Sequence, residues 1–83
     1  MSATFTMYST PWCGYCKRLK SQLDREGIAF DEVDIERDED AAFVVEQANG
    51  GNRTVPTLVF ADGSALTNPS VAQVKAQLDA LSA

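Results

Sequence analysis

Cys13 and Cys16 are the only cysteines in the 83-residue chain, and no histidine accompanies them. A Cys13-Gly14-Tyr15-Cys16 tetrapeptide can do two kinds of chemistry. It can cycle between dithiol and disulfide, or it can supply two of the four ligands that zinc or an iron–sulfur cluster requires. The chain offers no third or fourth soft ligand, so a metal would have to bridge two chains or borrow a small thiol. A purely structural disulfide is a third option, but closing so small a loop removes little entropy from the unfolded chain. Redox reactivity is the better account of the pair.

Such a pair must be held by its surroundings. Residues 4–8 (Thr4-Phe5-Thr6-Met7-Tyr8) alternate polar and apolar side chains and read as a strand, with Tyr8 assigned to structure. Ser9-Thr10-Pro11 interrupts it. Residues 13–26 then follow a helical pattern with Cys16, Leu19 and Leu23 on one face, and Gly27 supplies a stop. Cys13 therefore falls at a helix start, where unpaired backbone N–H groups and the positive end of the dipole favour a thiolate, and Lys17 adds positive charge. Its expected pKa is about 7 or lower, against about 8.5 for a free cysteine. Cys16, one turn further in, should be buried and less acidic. The shift at Cys13 raises the thiolate fraction about tenfold near neutrality, while a Brønsted slope of about 0.45 costs about fivefold in nucleophilicity. The larger benefit is a better leaving group in the second exchange.

The remaining residues supply the frame. Residues 28–35 read as a second strand whose alternation slips between Phe30 and Val33, which suggests a bulge or an edge position. Asp38-Glu39-Asp40 suits a helix start, followed by an inner stripe of Ala41, Val44, Val45 and Ala48 and an Asn49-Gly50-Gly51 stop. Residues 55–60 form a short strand, and Asp62-Gly63 turns it back into a strand at residues 64–66. Asn68-Pro69 suits a cap with proline at the first helical position, and Val71, Val74, Leu78 and Leu81 line the last helix. The order β-α-β-α-β-β-α predicts an α/β fold in one domain spanning residues 1–83. Its first two strands are parallel through a right-handed crossover, a hairpin is added, and helices cover both faces of a mixed four-stranded sheet.

Net charge is −5, which argues against nucleic acid and anionic membranes as partners. Seven of the twelve acids fall within residues 31–40, most simply a solvated strand and helix start. Lys17, Arg18 and Lys20 follow the second cysteine. Met1-Ser2-Ala3-Thr4 opens no signal peptide, and the longest apolar run, residues 41–45, is far too short to cross a bilayer. A cytoplasmic monomer is expected.

Thr6-Met7-Tyr8 ahead of Trp12-Cys13-Gly14-Tyr15-Cys16, with Thr54-Val55-Pro56-Thr57, resembles the glutaredoxin branch of the thioredoxin fold over nearly the whole chain. Residues 49–56, 61–64 and 67–70 are similar to the mycoredoxins, which serve bacteria that use mycothiol in place of glutathione. Departures from glutathione-using members point the same way. Thr10 stands where those usually carry a lysine, and Thr67-Asn68-Pro69-Ser70 replaces their Gly-Gly-Asp stretch. The Trp-Ser-Gly-Phe-Arg-Pro stretch usual in NrdH-type redoxins is absent.

The resemblance implies a thiol–disulfide oxidoreductase with Cys13 as nucleophile and Cys16 as its partner. It holds no tightly bound cofactor, and mycothiol is its thiol co-substrate. Mycothiolated proteins are the implied partners, with an NADPH-dependent mycothiol disulfide reductase acting indirectly. Trp12, Tyr15, Arg53, Thr54, Val55, Pro56, Thr67 and Asn68 are the implied substrate-binding residues, although Trp12 and Tyr15 could simply pack over the helix start and Arg53 could be an ordinary surface residue. Sequence alone makes Val55-Pro56 trans by default; the resemblance implies cis. Two rivals are a dithiol redoxin fed by thioredoxin reductase and an iron–sulfur carrier built from two chains.

Overall fold

The computed structural model describes residues 5–82. Thr4, expected to open the first strand, and the Met1-Ser2-Ala3 start lie outside the described residues. The elements run β1 (Phe5–Ser9), α1 (Gly14–Arg25), β2 (Asp31–Asp34), α2 (Glu39–Ala48), β3 (Thr57–Phe60), β4 (Ala65–Thr67) and α3 (Val71–Ser82). The sheet order is β2-β1-β3-β4. Strand β1 pairs parallel with β2, Tyr8 opposite Val33, and antiparallel with β3, Tyr8 opposite Thr57. The β3–β4 hairpin is antiparallel with Leu58 opposite Leu66. The expected order and mixed sheet are present.

Alternation along β1 divides the interior into two layers. Phe5 and Met7 face α1 and α3, joining Leu19, Leu23, Leu58, Phe60 and Val74 in the larger cluster. On the opposite face, Ile35, Ala41, Ala42 and Val45 pack with Tyr8, Val33 and Val55 under α2. The slip in the second strand has its cause here. Ile28 and Phe30 pack into the larger cluster, Phe30 stacked on Phe5 at 5.5 Å, whereas Val33 and Ile35 serve the other face. The chain thus changes sides of the sheet, and β2 shortens to four residues at the sheet edge.

Three expectations need correction. Val44 and Ala48 are exposed, and the buried face of α2 is Ala41, Ala42 and Val45. This stripe starts from the N-cap Asp38, whose carboxylate accepts from the Ala41 N–H at 3.1 Å. Ala42 and Val44 are both apolar, so hydropathy could not choose between the two registers. The last helix starts two residues later than expected. Ser70 caps it, accepting from the Gln73 N–H at 3.1 Å while Gln73 Oε1 accepts from the Ser70 N–H at 2.8 Å, a reciprocal capping box. Asn68 instead occupies positive φ at 48° and donates its N–H to the Pro56 carbonyl at 2.8 Å. Leu81, near the end of α3, is 38% exposed and lies outside the core.

Candidate active site

Thr10, Pro11 and Trp12 carry the chain from β1 into α1, and Cys13 is the helix N-cap with extended backbone. Its Sγ accepts from the Cys16 N–H at 3.2 Å. An N-cap side-chain oxygen ordinarily fills that role; a sulfur there places its lone pairs against a free N–H at the positive end of the helix, which stabilises negative charge. Cys13 is 6% exposed and Cys16 is 2% exposed. Both sulfurs are unbridged. Burial, followed by the hydrogen bond with Cys13, pushes the Cys16 thiol up from 9.0 to about 12. One sulfur therefore sits at the helix mouth and the other stays a neutral thiol within the first turn.

The second half of the site comes from the loop between α2 and β3. Gly50 and Gly51 take φ of 64° and 104°, letting the chain leave α2 and turn toward the sheet. The Val55–Pro56 peptide bond is cis. The Val55 carbonyl oxygen lies 3.9 Å from Cys13 Sγ and accepts from the thiol. Asn49 and Thr57, which sequence reasoning left out of the site, secure this loop. Asn49 Nδ2 donates to the Val45 carbonyl at 2.9 Å and to Thr57 Oγ1 at 3.0 Å. Thr57 Oγ1 in turn donates to the Thr54 carbonyl at 2.7 Å, and the Thr67 hydroxyl donates to Asn49 Oδ1. An Asn after a helix with a Thr eight residues on carries no distinguishing sequence signal.

Cys13, Cys16, Val55 and Pro56 are thus brought together, with Asn68 joined to the group through the Pro56 carbonyl. Thr54 is exposed and contributes a carbonyl, while Thr67 pairs with Thr57 across the hairpin. Trp12 and Tyr15 are 69% and 63% exposed beside the cysteines. The Trp12 indole N–H donates to Glu36 at 2.8 Å. Arg53 does not reach freely toward the sulfur: its Nε donates to Glu46 at 2.6 Å and its Nη2 to Glu39 at 3.4 Å. Glu32, near Cys16, is opposed in ionising by burial, but hydrogen bonds from Lys20 and Ser9 outweigh this and hold its carboxyl below the usual range. Among the described residues no three His, Cys, Asp or Glu side chains form a metal-holding group.

A nucleophile-placed sulfur at a helix mouth, a second sulfur one turn behind, and a proline-bearing loop opposite, all on a four-stranded mixed sheet, define a thiol–disulfide oxidoreductase of thioredoxin-like fold. The glutaredoxin family model matches residues 5–65, and the chain belongs to the glutaredoxin family. It is 60% identical over 78 residues to a Mycobacterium tuberculosis protein described as a glutaredoxin, covering 94% of this chain and 93% of that one. It is 45% identical over 76 residues to Mycoredoxin 1 of Corynebacterium glutamicum, covering 92% and 94%, so within the family it is mycoredoxin-like. Among solved structures, the glutaredoxin from Methanosarcina mazei superposes with a TM-score of 0.79 at 25% identity, over 92% of this chain and 78% of that chain. The methanoredoxin of Methanosarcina acetivorans gives 0.77 at 24%, over 92% and 84%.

Proposed function

We propose that the protein removes mycothiol from mycothiol–protein mixed disulfides, using Cys13 as the only obligatory sulfur. The Cys13 thiolate attacks the mycothiol sulfur and expels the protein thiolate, which takes up a proton. Cys13 is then disulfide-linked to mycothiol. A second mycothiol thiolate attacks that bound mycothiol sulfur, frees Cys13 and leaves as mycothiol disulfide. An NADPH-dependent reductase returns the disulfide to two thiols, so two electrons balance each turnover. The enzyme itself needs no resident cofactor in this cycle.

The observation that carries the one-sulfur route is the contrast between the two cysteines. Both are buried, but Cys13 caps the helix and its sulfur accepts an N–H at the helix mouth, whereas Cys16 lies one turn inside with its thiol pushed up to about 12. A thiol that acidic only at high pH attacks slowly near neutrality, which leaves time for a second small thiol to arrive first. Kinship with a protein named Mycoredoxin 1 supports mycothiol as that thiol. The exposed Trp12 and Tyr15 rings beside Cys13 offer stacking walls for a sugar, and the Val55 carbonyl offers an extended polypeptide a backbone partner.

Two coupled NADPH assays test this, one with mycothiol and its disulfide reductase, the other with thioredoxin reductase. Turnover is expected in the first. In that assay Cys13→Ser abolishes activity, while Cys16→Ser retains the greater part of it. Turnover confined to the second assay, or complete loss in Cys16→Ser, would mean a dithiol redoxin instead.

A further inference from the structure

The acidic run within residues 31–40 takes no part in the sulfur chemistry above, yet the fold carries its end to the reactive cysteine. Thr10, Trp12, Ile35, Glu36, Glu39 and Arg53 line a groove of about 350 Å³. One side is the turn into α1, where the Cys13 N–H donates to the Thr10 carbonyl at 3.3 Å. The other side is the segment that leads from Arg53 to Val55, whose carbonyl lies 3.9 Å from the sulfur. A small thiol joined to Cys13 through sulfur has this groove beside it.

The groove is dominated by negative charge. Its single lining cation, Arg53, is already paired with Glu46 at 2.6 Å and with Glu39 at 3.4 Å. An incoming carboxylate would have to displace one of these partners. Glu36 is held at the rim because its Oε2 accepts from the Trp12 indole at 2.8 Å, a neutral donor that leaves the charge uncompensated. The cations after Cys16 do not relieve this. Lys17 and Lys20 line a different cavity, with Cys16 and Glu32, and Lys20 is paired with Glu32 at 2.8 Å. Thr10, which lines the groove, is buried, and its Oγ1 has no hydrogen-bond partner among the described residues.

We propose that Glu36, Glu39 and Glu46 act as a charge filter on the small thiol exchanged at Cys13, admitting neutral or cationic thiols and disfavouring those that carry carboxylates. Within a Debye length of about 8 Å, like charges in a concave site are incompletely screened, and about a tenfold difference in rate between opposite charges is the expected scale. The inference rests on Cys13 as nucleophile. It does not depend on mycothiol, because none of its probes is mycothiol.

The test is the exchange of reduced protein with three symmetrical disulfides: cystamine (cationic), bis(2-hydroxyethyl) disulfide (neutral) and 3,3′-dithiodipropionate (anionic). In each, the Cys13 thiolate forms a bond to one sulfur and expels the other half as its thiolate, so no external oxidant or reductant enters. Mixed disulfide is trapped by acid and read by mass in a Cys16→Ser background. Each rate is divided by that of the same disulfide with N-acetylcysteine amide, whose thiol is flanked by no charged group, which removes intrinsic leaving-group differences. Corrected rates should fall from cationic to neutral to anionic by about tenfold overall at low salt, with the spread shrinking in 0.5 M salt (a Debye length of about 4 Å). E36Q/E39Q should reduce the spread about fivefold, whereas D24N/D79N, which removes the same charge from α1 and α3, should not. An unchanged spread in E36Q/E39Q, or equal reduction in both double variants, overturns the filter. A cooperative urea transition for E36Q/E39Q, with a midpoint close to that of wild type, shows that the variant is folded. Failure of the mycothiol-coupled assay alone would leave the filter standing.

Discussion

At the scale of single residues, the division of labour between the two sulfurs follows from one turn of helix. Position 13 is the cap and position 16 lies beneath it, so the same N–H that supports Cys13 belongs to Cys16. The cost to Cys16 is a pH signature. Its thiol ionises near 9.0 without the fold but only near 12 within it, because burial first, and the hydrogen bond with Cys13 second, oppose the charge. The stability this contributes to the reduced protein is whole below pH 9.0 and is lost as pH rises toward 12, since the unfolded chain gives up that proton first. The loss is at most about 1.4 kcal/mol per pH unit. Urea midpoints of wild type and Cys16→Ala at pH 8, 9.5 and 11 should therefore converge as pH rises; parallel curves would contradict it.

At the scale of elements, the loop between α2 and β3 has to present the Val55 carbonyl to a sulfur that belongs to another layer. Asn49 does much of this by tying the end of α2 to both β3 and β4 through Thr57 and Thr67. Replacing it with alanine removes the acceptor of the Thr67 hydroxyl and one bond each from the Thr57 hydroxyl and the Val45 carbonyl, which keep the Thr54 carbonyl and the backbone N–H of residue 49, at about 1–3 kcal/mol. Asn49→Ala should lower the denaturation midpoint accordingly. It should also slow Cys13 exchange with a peptide disulfide more than with a small neutral one, because only the extended substrate uses the Val55 carbonyl. Equal slowing of both would show that Asn49 serves stability alone.

At the scale of the whole molecule, the sheet separates two unequal layers, and the chemistry sits at the end of the strands where both meet. The larger layer, under α1 and α3, holds the cysteine helix in place through Leu19 and Leu23 against Met7, Leu58 and Phe60. Leu58 is fully buried in β3, between strands β1 and β4. Leu58→Ala should cost about 2–5 kcal/mol, a large share of what so small a domain possesses. Denaturant titration checks this, with the cost appearing in the midpoint. In the smaller layer the alanines of α2 allow close approach to the sheet, while Phe43 and Val44 stay outside it.

Much of this was legible in the residues themselves. The Cys13 and Cys16 spacing, the helix that follows it, the Gly50 and Gly51 exit and the Asp62-Gly63 hairpin are local signals, and local sterics and hydrogen bonding suffice to read them. Periodicity also named Cys16, Leu19 and Leu23 as one buried face, which the structure shows. What local chemistry could not decide was anything chosen between equivalent options by a distant neighbour. The register of α2, with Ala42 in and Val44 out, depends on the sheet face it meets. Asn68, taken for a cap, is drawn to the Pro56 carbonyl, and Ser70 caps α3 instead. Arg53 could be read from the sequence as a surface residue or as a ligand for the incoming thiol, and its pairing with Glu46 and Glu39 of α2 shows only in the packed chain. Hydropathy and turn chemistry act over a few residues, so they determine the elements; pairing of charges and carbonyls between elements acts only once those are packed, so it needed the tertiary structure.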